Sequence, residues 1–296
     1  MPMNTCLKRA MLLGVLLCPV TALAGLVVTS TDDEMAIAER LLDKGSGLKI
    51  SSVSLLGAKY QQGFFDGGLS AGIGLDSGVL LTTGRATNAV GPNQSDSKTK
   101  VVGSGGDSDL DGLISSVSTY DANVLQLDFS TTTGGLFFNY VFASEEYNEY
   151  AGSSFNDVFG FFIDGVNIAL LPGSSDPVAV NTVNLGSPYF NDNDLDSFAK
   201  PPFDIEYDGF TDVFTAGITG LEVGTLYTLK LAVADAGDRY FDSAVFLQSG
   251  SFSSVALASA APVPSPAPLA LLAIGLCGFM LVPRRAVVTP QESSSC

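Results

Sequence analysis

Between positions 135 and 143 almost every residue is apolar: Leu136, Phe137, Phe138, Tyr140, Val141, Phe142 and Ala143 leave no polar face. A strand sends successive side chains to opposite sides, so this run demands cover on both and reads as a central strand. A second apolar run follows at 157–164. The short segment joining them holds Glu145, Glu146, Glu149, Asn148, Asn156, Asp157, Tyr147 and Tyr150. The apolar runs need a core, and the acids need water, partners or a cation. The rest of the chain is read as the scaffold that presents this segment.

Other stretches carry the same β signature. Residues 48–56 and 123–130 alternate, with Leu125, Leu127 and Phe129 on one face. An extended pair of runs covers 72–83, broken by a turn at Asp76, Ser77 and Gly78. Further strands are expected at 166–171, 178–183, 212–218, 226–234 and 243–252, with Asp164 and Gly165 as a hairpin signal. Residues 88–106 read as a long polar loop and 191–208 as an acidic one. One helix is expected near the start, capped by Thr31 or Asp32 and carrying Met35, Ile37, Ala38, Leu41 and Leu42 at helical spacing. Gly45 and Gly47 stop it, and it has the look of a structural lid. Roughly ten strands with regular turn signals argue an all-β chain: an antiparallel β-sandwich, jelly-roll-like, with one short N-terminal helix and a C-terminal hydrophobic tail.

The ends differ from the middle. Lys8 and Arg9, an apolar run at 10–20 and the Ala22, Leu23, Ala24 cleavage pattern make 1–24 a signal peptide. The folded domain is expected over 25–257, followed by a Pro/Ala linker at 258–268. Residues 269–285 form a hydrophobic sorting or transmembrane segment ending in Arg284 and Arg285, with a tail at 286–296. The four cysteines, Cys6, Cys18, Cys277 and Cys296, all lie in these end regions, so the domain relies on a core rather than disulfides. The ten basic and thirty acidic side chains between 25 and 261 leave that region near −20, which repels nucleic acid and attracts divalent cations or basic partners. There is no histidine, which removes His-based catalysis and the commonest zinc ligand, and no tryptophan for sugar stacking.

Three acidic constellations stand out. Asp107, Asp109 and Asp111 before Gly112 match the first half of a calcium loop, but position twelve is Ser118, and helix capping of 113–117 by Asp109 or Asp111 is the reading placed ahead of calcium there. Asn191, Asp192, Asn193, Asp194 and Asp196 are denser in oxygen but lack a glycine, and read as a solvated loop. Asp235, Asp238 and Asp242 connect two strong strands, where Arg239 can neutralise Asp235 or Asp238. In a sandwich they are expected beside Glu145, Glu146, Asn156 and Asp157, a set suited to calcium with its six to eight oxygen ligands. A glycan hydrolase would use Glu145, Glu146 and Asp238 instead; a carbohydrate-binding module is the other alternative, and no catalytic residue is assigned.

Several motifs together resemble the choice-of-anchor L domain family: Glu145 to Tyr150, Phe155 to Phe162, Asn167 to Ala169, Asp235 to Asp238 with Asp242 to Leu247, Gly74 to Leu81 with Thr83 and Gly84, and Gly106 to Asp111. Val263, Pro264, Ser265 and Pro266, the apolar run and the Arg284–Arg285 pair resemble a PEP-CTERM sorting signal. Ser265 stands where that signal usually has Glu, and the chain continues beyond the arginines. The resemblance implies sorting by an exosortase-like enzyme, contact with the membrane through the C-terminal segment, and delivery to the envelope, outer surface or polysaccharide matrix of a Gram-negative bacterium. It implies no catalytic activity. The chain is therefore expected to be an exported structural or adhesive protein stabilised by calcium, with extracellular polysaccharide as a partner and no nucleic acid.

Overall fold

The computed structural model describes residues 25–114 and 117–255. The leader at 1–24, the linker, the sorting residues Val263, Pro264, Ser265, Pro266, Arg284 and Arg285, and the tail lie outside the described residues. Among the described residues no helix is long and apolar enough to cross a membrane.

Two antiparallel sheets face each other. The larger has eight strands. It runs from β1 (Val27–Ser30) through β3 (Gln62–Asp66), β4 (Ser77–Thr82), β14 (Ser243–Gln248) and β6 (Gly135–Ser144) to β11 (Gly209–Thr211) and β10 (Phe190–Asp192). β12 (Phe214–Thr219) pairs with the other part of β6. The six-stranded sheet runs from β2 (Leu48–Leu56) through β5 (Thr119–Thr131), β13 (Leu226–Ala236) and β7 (Val158–Ile163) to β8 (Val166–Asn167), with β9 (Val178–Ala179) also on β7. Three short helices, α1 (Glu34–Leu41), α2 (Gly68–Ala71) and α3 (Ser108–Asp111), and a 3₁₀ turn at Ala86–Ala89 complete the described elements.

The main core lies between the sheets. Leu125, Leu127 and Phe129 of β5 and Leu229, Leu231 and Val233 of β13 meet Phe138, Tyr140 and Phe142 of β6 and Val245 and Leu247 of β14. Phe138 stacks on Phe161 with ring centroids 3.9 Å apart, joining the two layers. The opposite face of β6 is covered as well. Val141 and Ala143 pack with Phe65, Phe246, Ile205, Tyr207 and Phe210 in a second core. That is why the 135–143 run has no polar face. A third cluster, around Leu110, Val158, Phe162 and Ala234, lies beneath α3.

α1 is capped by Asp33, whose carboxylate accepts from Ala36 N at 3.0 Å, and not by Thr31 or Asp32. Ile37, Ala38 and Leu41 are buried, while Met35 is half exposed and Leu42 follows the helix end. The Asp164–Gly165 hairpin forms with φ of 46° and 84°, the two positive values a type I′ turn requires. Other expectations need correction. The 72–83 run holds only β4; Ile73 and Leu75 instead fill the second core after α2. The strand at 62–66 has no counterpart in the sequence reading, and the 166–171 and 178–183 strands shrink to two residues each. The acidic 191–208 stretch is solvated mainly in its middle, at 196–200: Asn193, Asp194, Glu206 and Asp208 are at most 2 % exposed.

Candidate functional site

Strand register gathers the acids at one end of the sandwich. In the larger sheet Ser144, the last residue of β6, pairs with Ser243 of β14 on one side and Gly209 of β11 on the other. Glu145 and Glu146 therefore leave β6 beside Asp242 and Asp208, which enter those neighbours. In the facing sheet Ala234 of β13 pairs with Val158 of β7, so Asp235 and Asp157 arrive at the same end. The two sets touch. The Ser243 hydroxyl donates to Asp157 Oδ2 at 2.6 Å and lies 2.8 Å from Ser144 Oγ, and Ala236 N donates to Asp157 Oδ1 at 2.8 Å. Glu145 N donates to Asp242 O at 3.1 Å.

A strap from the 88–106 loop crosses this end. Its extended backbone turns alternate N–H groups inward: Lys98 N donates to Glu145 Oε2 (3.1 Å), Lys100 N to both oxygens of Asp242 (2.9 Å), and Val102 N to Asp121 Oδ2 (2.8 Å). The Lys98 ammonium pairs with Glu206 at 3.2 Å. Gly84 leaves the room Asp242 occupies; a Cβ there would collide with its carboxylate.

The donors do not go round. Asp235 is 1 % exposed and neither of its oxygens has a hydrogen bond of normal geometry, although the nearby Thr83 hydroxyl favours its anion. Glu145 Oε1, Glu146 Oε2 and Asp208 Oδ2 are likewise buried without a donor. A buried carboxylate short of partners resists ionisation. Desolvation, then the charges of Asp157 and Asp238, push Glu146 up to about 10. Desolvation lifts Asp157 to about 8 against the bonds from Ser243 and Ala236, and Asp208 to about 9 against the bond from Asn93. It lifts Asp242 only to about 6, because the Lys100 and Arg85 N–H groups favour the anion. Asp235 and Glu145 are raised well above the usual carboxylate range, again by burial first. Such a cluster holds protons or a cation. Among the described residues, no three acidic, cysteine or histidine side chains already enclose one point as a metal cage.

Of the residues singled out from sequence, Glu145, Glu146, Asp157, Asp235 and Asp242 are brought together. Asp238 lies at the margin: its charge bears on Glu146 and Asp157, while its Oδ1 accepts from Tyr240 N at 2.9 Å. Asn156 faces elsewhere and accepts from Asn181 N at 2.8 Å. Arg239 neutralises neither Asp235 nor Asp238. Its guanidinium lies over the Tyr120 ring at 4.3 Å, with Nε 3.5 Å from the buried Asp121. Asp107, Asp109 and Asp111 sit apart, beside α3. Asp107, rather than Asp109 or Asp111, is the cap, bonding Asp109 N and Leu110 N, and the helix it caps covers Ser108–Asp111; the expected 113–117 helix falls partly outside the described residues. The Lys230 ammonium stands 2.6 Å from Asp107 and 2.7 Å from Asp109, and Asp111 accepts from Thr119. Sequence reasoning missed Asp121, Glu206 and Asp208, and placed the buried Asp194 in a solvated loop. The signal was present for two of them: Glu206 and Asp208 alternate with Ile205 and Tyr207, with Phe210 close behind, an unusual pattern for a solvated loop.

The family model described as the choice-of-anchor L domain matches residues 27–253. No curated protein and no solved structure matches the chain.

Proposed function

The chain belongs to the choice-of-anchor L domain family, a protein of cell-surface, anchored type, and from that premise we propose an exported structural or adhesive module whose acidic end is closed by calcium. It reaches the envelope or extracellular matrix of a Gram-negative cell through its C-terminal tail, handled by an exosortase-like enzyme. The observation that carries the calcium reading is Asp235: buried between the sheets, near Asp157 and Asp242, with no hydrogen bond of normal geometry to either oxygen. Calcium accepts irregular oxygen sets of carboxylate, carbonyl and water, and here would draw in Glu146, Asp157, Asp235 and Asp238. Thermal melting of the full chain against calcium at pH 8 tests this. A ligand selective for the folded state adds about 2.7 kcal/mol at one hundred times its Kd. A melting temperature unchanged up to millimolar calcium overturns the reading.

One observation favours glycan binding as a second reading. Val101, Tyr120, Gly237, Asp238, Arg239 and Tyr240 line an open cavity of about 440 Å³, with Tyr240 55 % exposed. An exposed ring beside an acid and a guanidinium suits a sugar. Retention on extracellular polysaccharide that persists in chelator and is lost in Tyr240→Ala supports it; equal retention of the variant removes it.

A further inference from the structure

The open cavity at Tyr240 holds one charge that the protein balances and one that it does not. Arg239 is answered from within. Its Nε stands 3.5 Å from the buried Asp121, its Nη2 donates to Ser104 O at 3.4 Å, and its guanidinium lies over the Tyr120 ring at 4.3 Å. Asp238 has no such counterpart. Its Oδ1 accepts from Tyr240 N at 2.9 Å, and among the described residues no lysine or arginine pairs with it. That bond holds the carboxylate next to the backbone of Tyr240, whose ring is exposed.

Aromatic surface continues past the cavity wall. Phe241 takes a φ of 60°, a backbone shape unfavourable for a bulky side chain and kept only where the surroundings fix it. Its ring lies 4.9 Å from that of Tyr150, which meets Phe155 edge-on at 5.3 Å. Phe155 in turn packs against the cavity: a Cβ on Gly237 would stand 3.1 Å from its Cδ1. These three rings are half-buried, so they form a ridge beside the cavity rather than part of a core. Resting on the glycan-binding reading, we propose that this cavity and ridge take a polysaccharide whose sugars carry free amino groups. The apolar face of a sugar packs on Tyr240, and its ammonium group pairs with Asp238 and faces the tyrosine rings, which attract cations. A uronate or sulfated chain would meet the uncompensated Asp238 and a domain with thirty acidic against ten basic side chains.

The test is calorimetric titration of the full chain in chelator, at about pH 6, where a sugar amine is charged, and about 0.15 M salt. The probes are chitosan tetrasaccharide, fully N-acetylated chitin tetrasaccharide and a tetrauronate. The amine form is expected to bind about five- to tenfold more tightly than the acetylated form, the range of one exposed ion pair with a cation–ring contact. Asp238→Asn, which keeps an oxygen for Tyr240 N, should abolish that preference while acetylated sugar still binds. Tyr240→Ala, at an exposed position, should weaken both. Equal or tighter binding of the acetylated or uronate probe overturns the amine assignment and leaves glycan binding standing. Amine binding unchanged in both variants is general attraction to an acidic chain and overturns the site. Binding of none of the probes overturns the inference, and the glycan reading falls with it only if retention on extracellular polysaccharide is absent too.

Discussion

Asp235 sets the chemistry at the scale of one residue. Folding strips its carboxylate of water and returns no hydrogen bond of normal geometry, so its replacement by the isosteric amide removes a cost. Asp235→Asn is expected to melt higher than the parent chain in chelator at pH 8, by several degrees, since about 1 kcal/mol moves a domain of this size by about 2–4 °C. The same variant should lose calcium-induced stabilisation, and melting curves with and without the ion check both halves. The pH dependence follows from the neighbours. With Glu146 raised to about 10, Asp208 to about 9, Asp157 to about 8 and Asp242 to about 6, the folded chain holds more protons than the unfolded one above about pH 4. In chelator, stability is therefore greatest on the acid side and falls as pH rises from about 5 to 9, and the gain from calcium grows over the same range. A melting temperature that rises with pH in chelator contradicts this. These acids were legible because Glu145, Glu146, Asp157, Asp235 and Asp242 each abut a strong strand. Asp121 was not, because its inward placement depends on a positive φ of 47° near the irregularity where β5 pairs with β13.

The strap shows what an element can do that its side chains do not announce. Lys98, Lys100 and Val102 act through backbone N–H groups, so a polar stretch without pattern becomes a row of donors. The prediction separates backbone from side chain. Lys100→Ala keeps the N–H to Asp242 and should change stability by no more than about 0.5 kcal/mol. Lys100→Pro removes that donor and leaves a buried carboxylate short, a loss of about 1–3 kcal/mol or more, measured by denaturant unfolding. Legibility among the strands follows the same logic. β5, β6, β7 and β13 are long enough to show alternation or continuous burial. β8, β9, β10 and β11 span two or three residues, too few for any period. β3 hides because it opens with the polar Gln62; the neighbouring Gln61 is also buried, its amide bonding Thr82 O, Thr83 O and Asp121 O.

For the whole molecule, two different forces join the same pair of sheets. In the middle the join is apolar, centred on Phe138 over Phe161, and Phe161→Ala should cost about 3–5 kcal/mol whatever the calcium concentration. Unfolding by urea with and without the ion checks that the loss is the same in both. At the acidic end carboxyl groups meet carboxyl groups: Asp157 and Asp235 from one sheet oppose Glu145, Asp208 and Asp242 from the other, and the Ser243–Asp157 bond already spans them. On the proposed reading, a chain made where free calcium is scarce carries a sandwich whose acidic end repels itself, which favours threading outward over premature closure. Once outside, the ambient ion fastens that end. The buried acids would then act as a one-way latch, set by the composition of the medium on either side of the membrane.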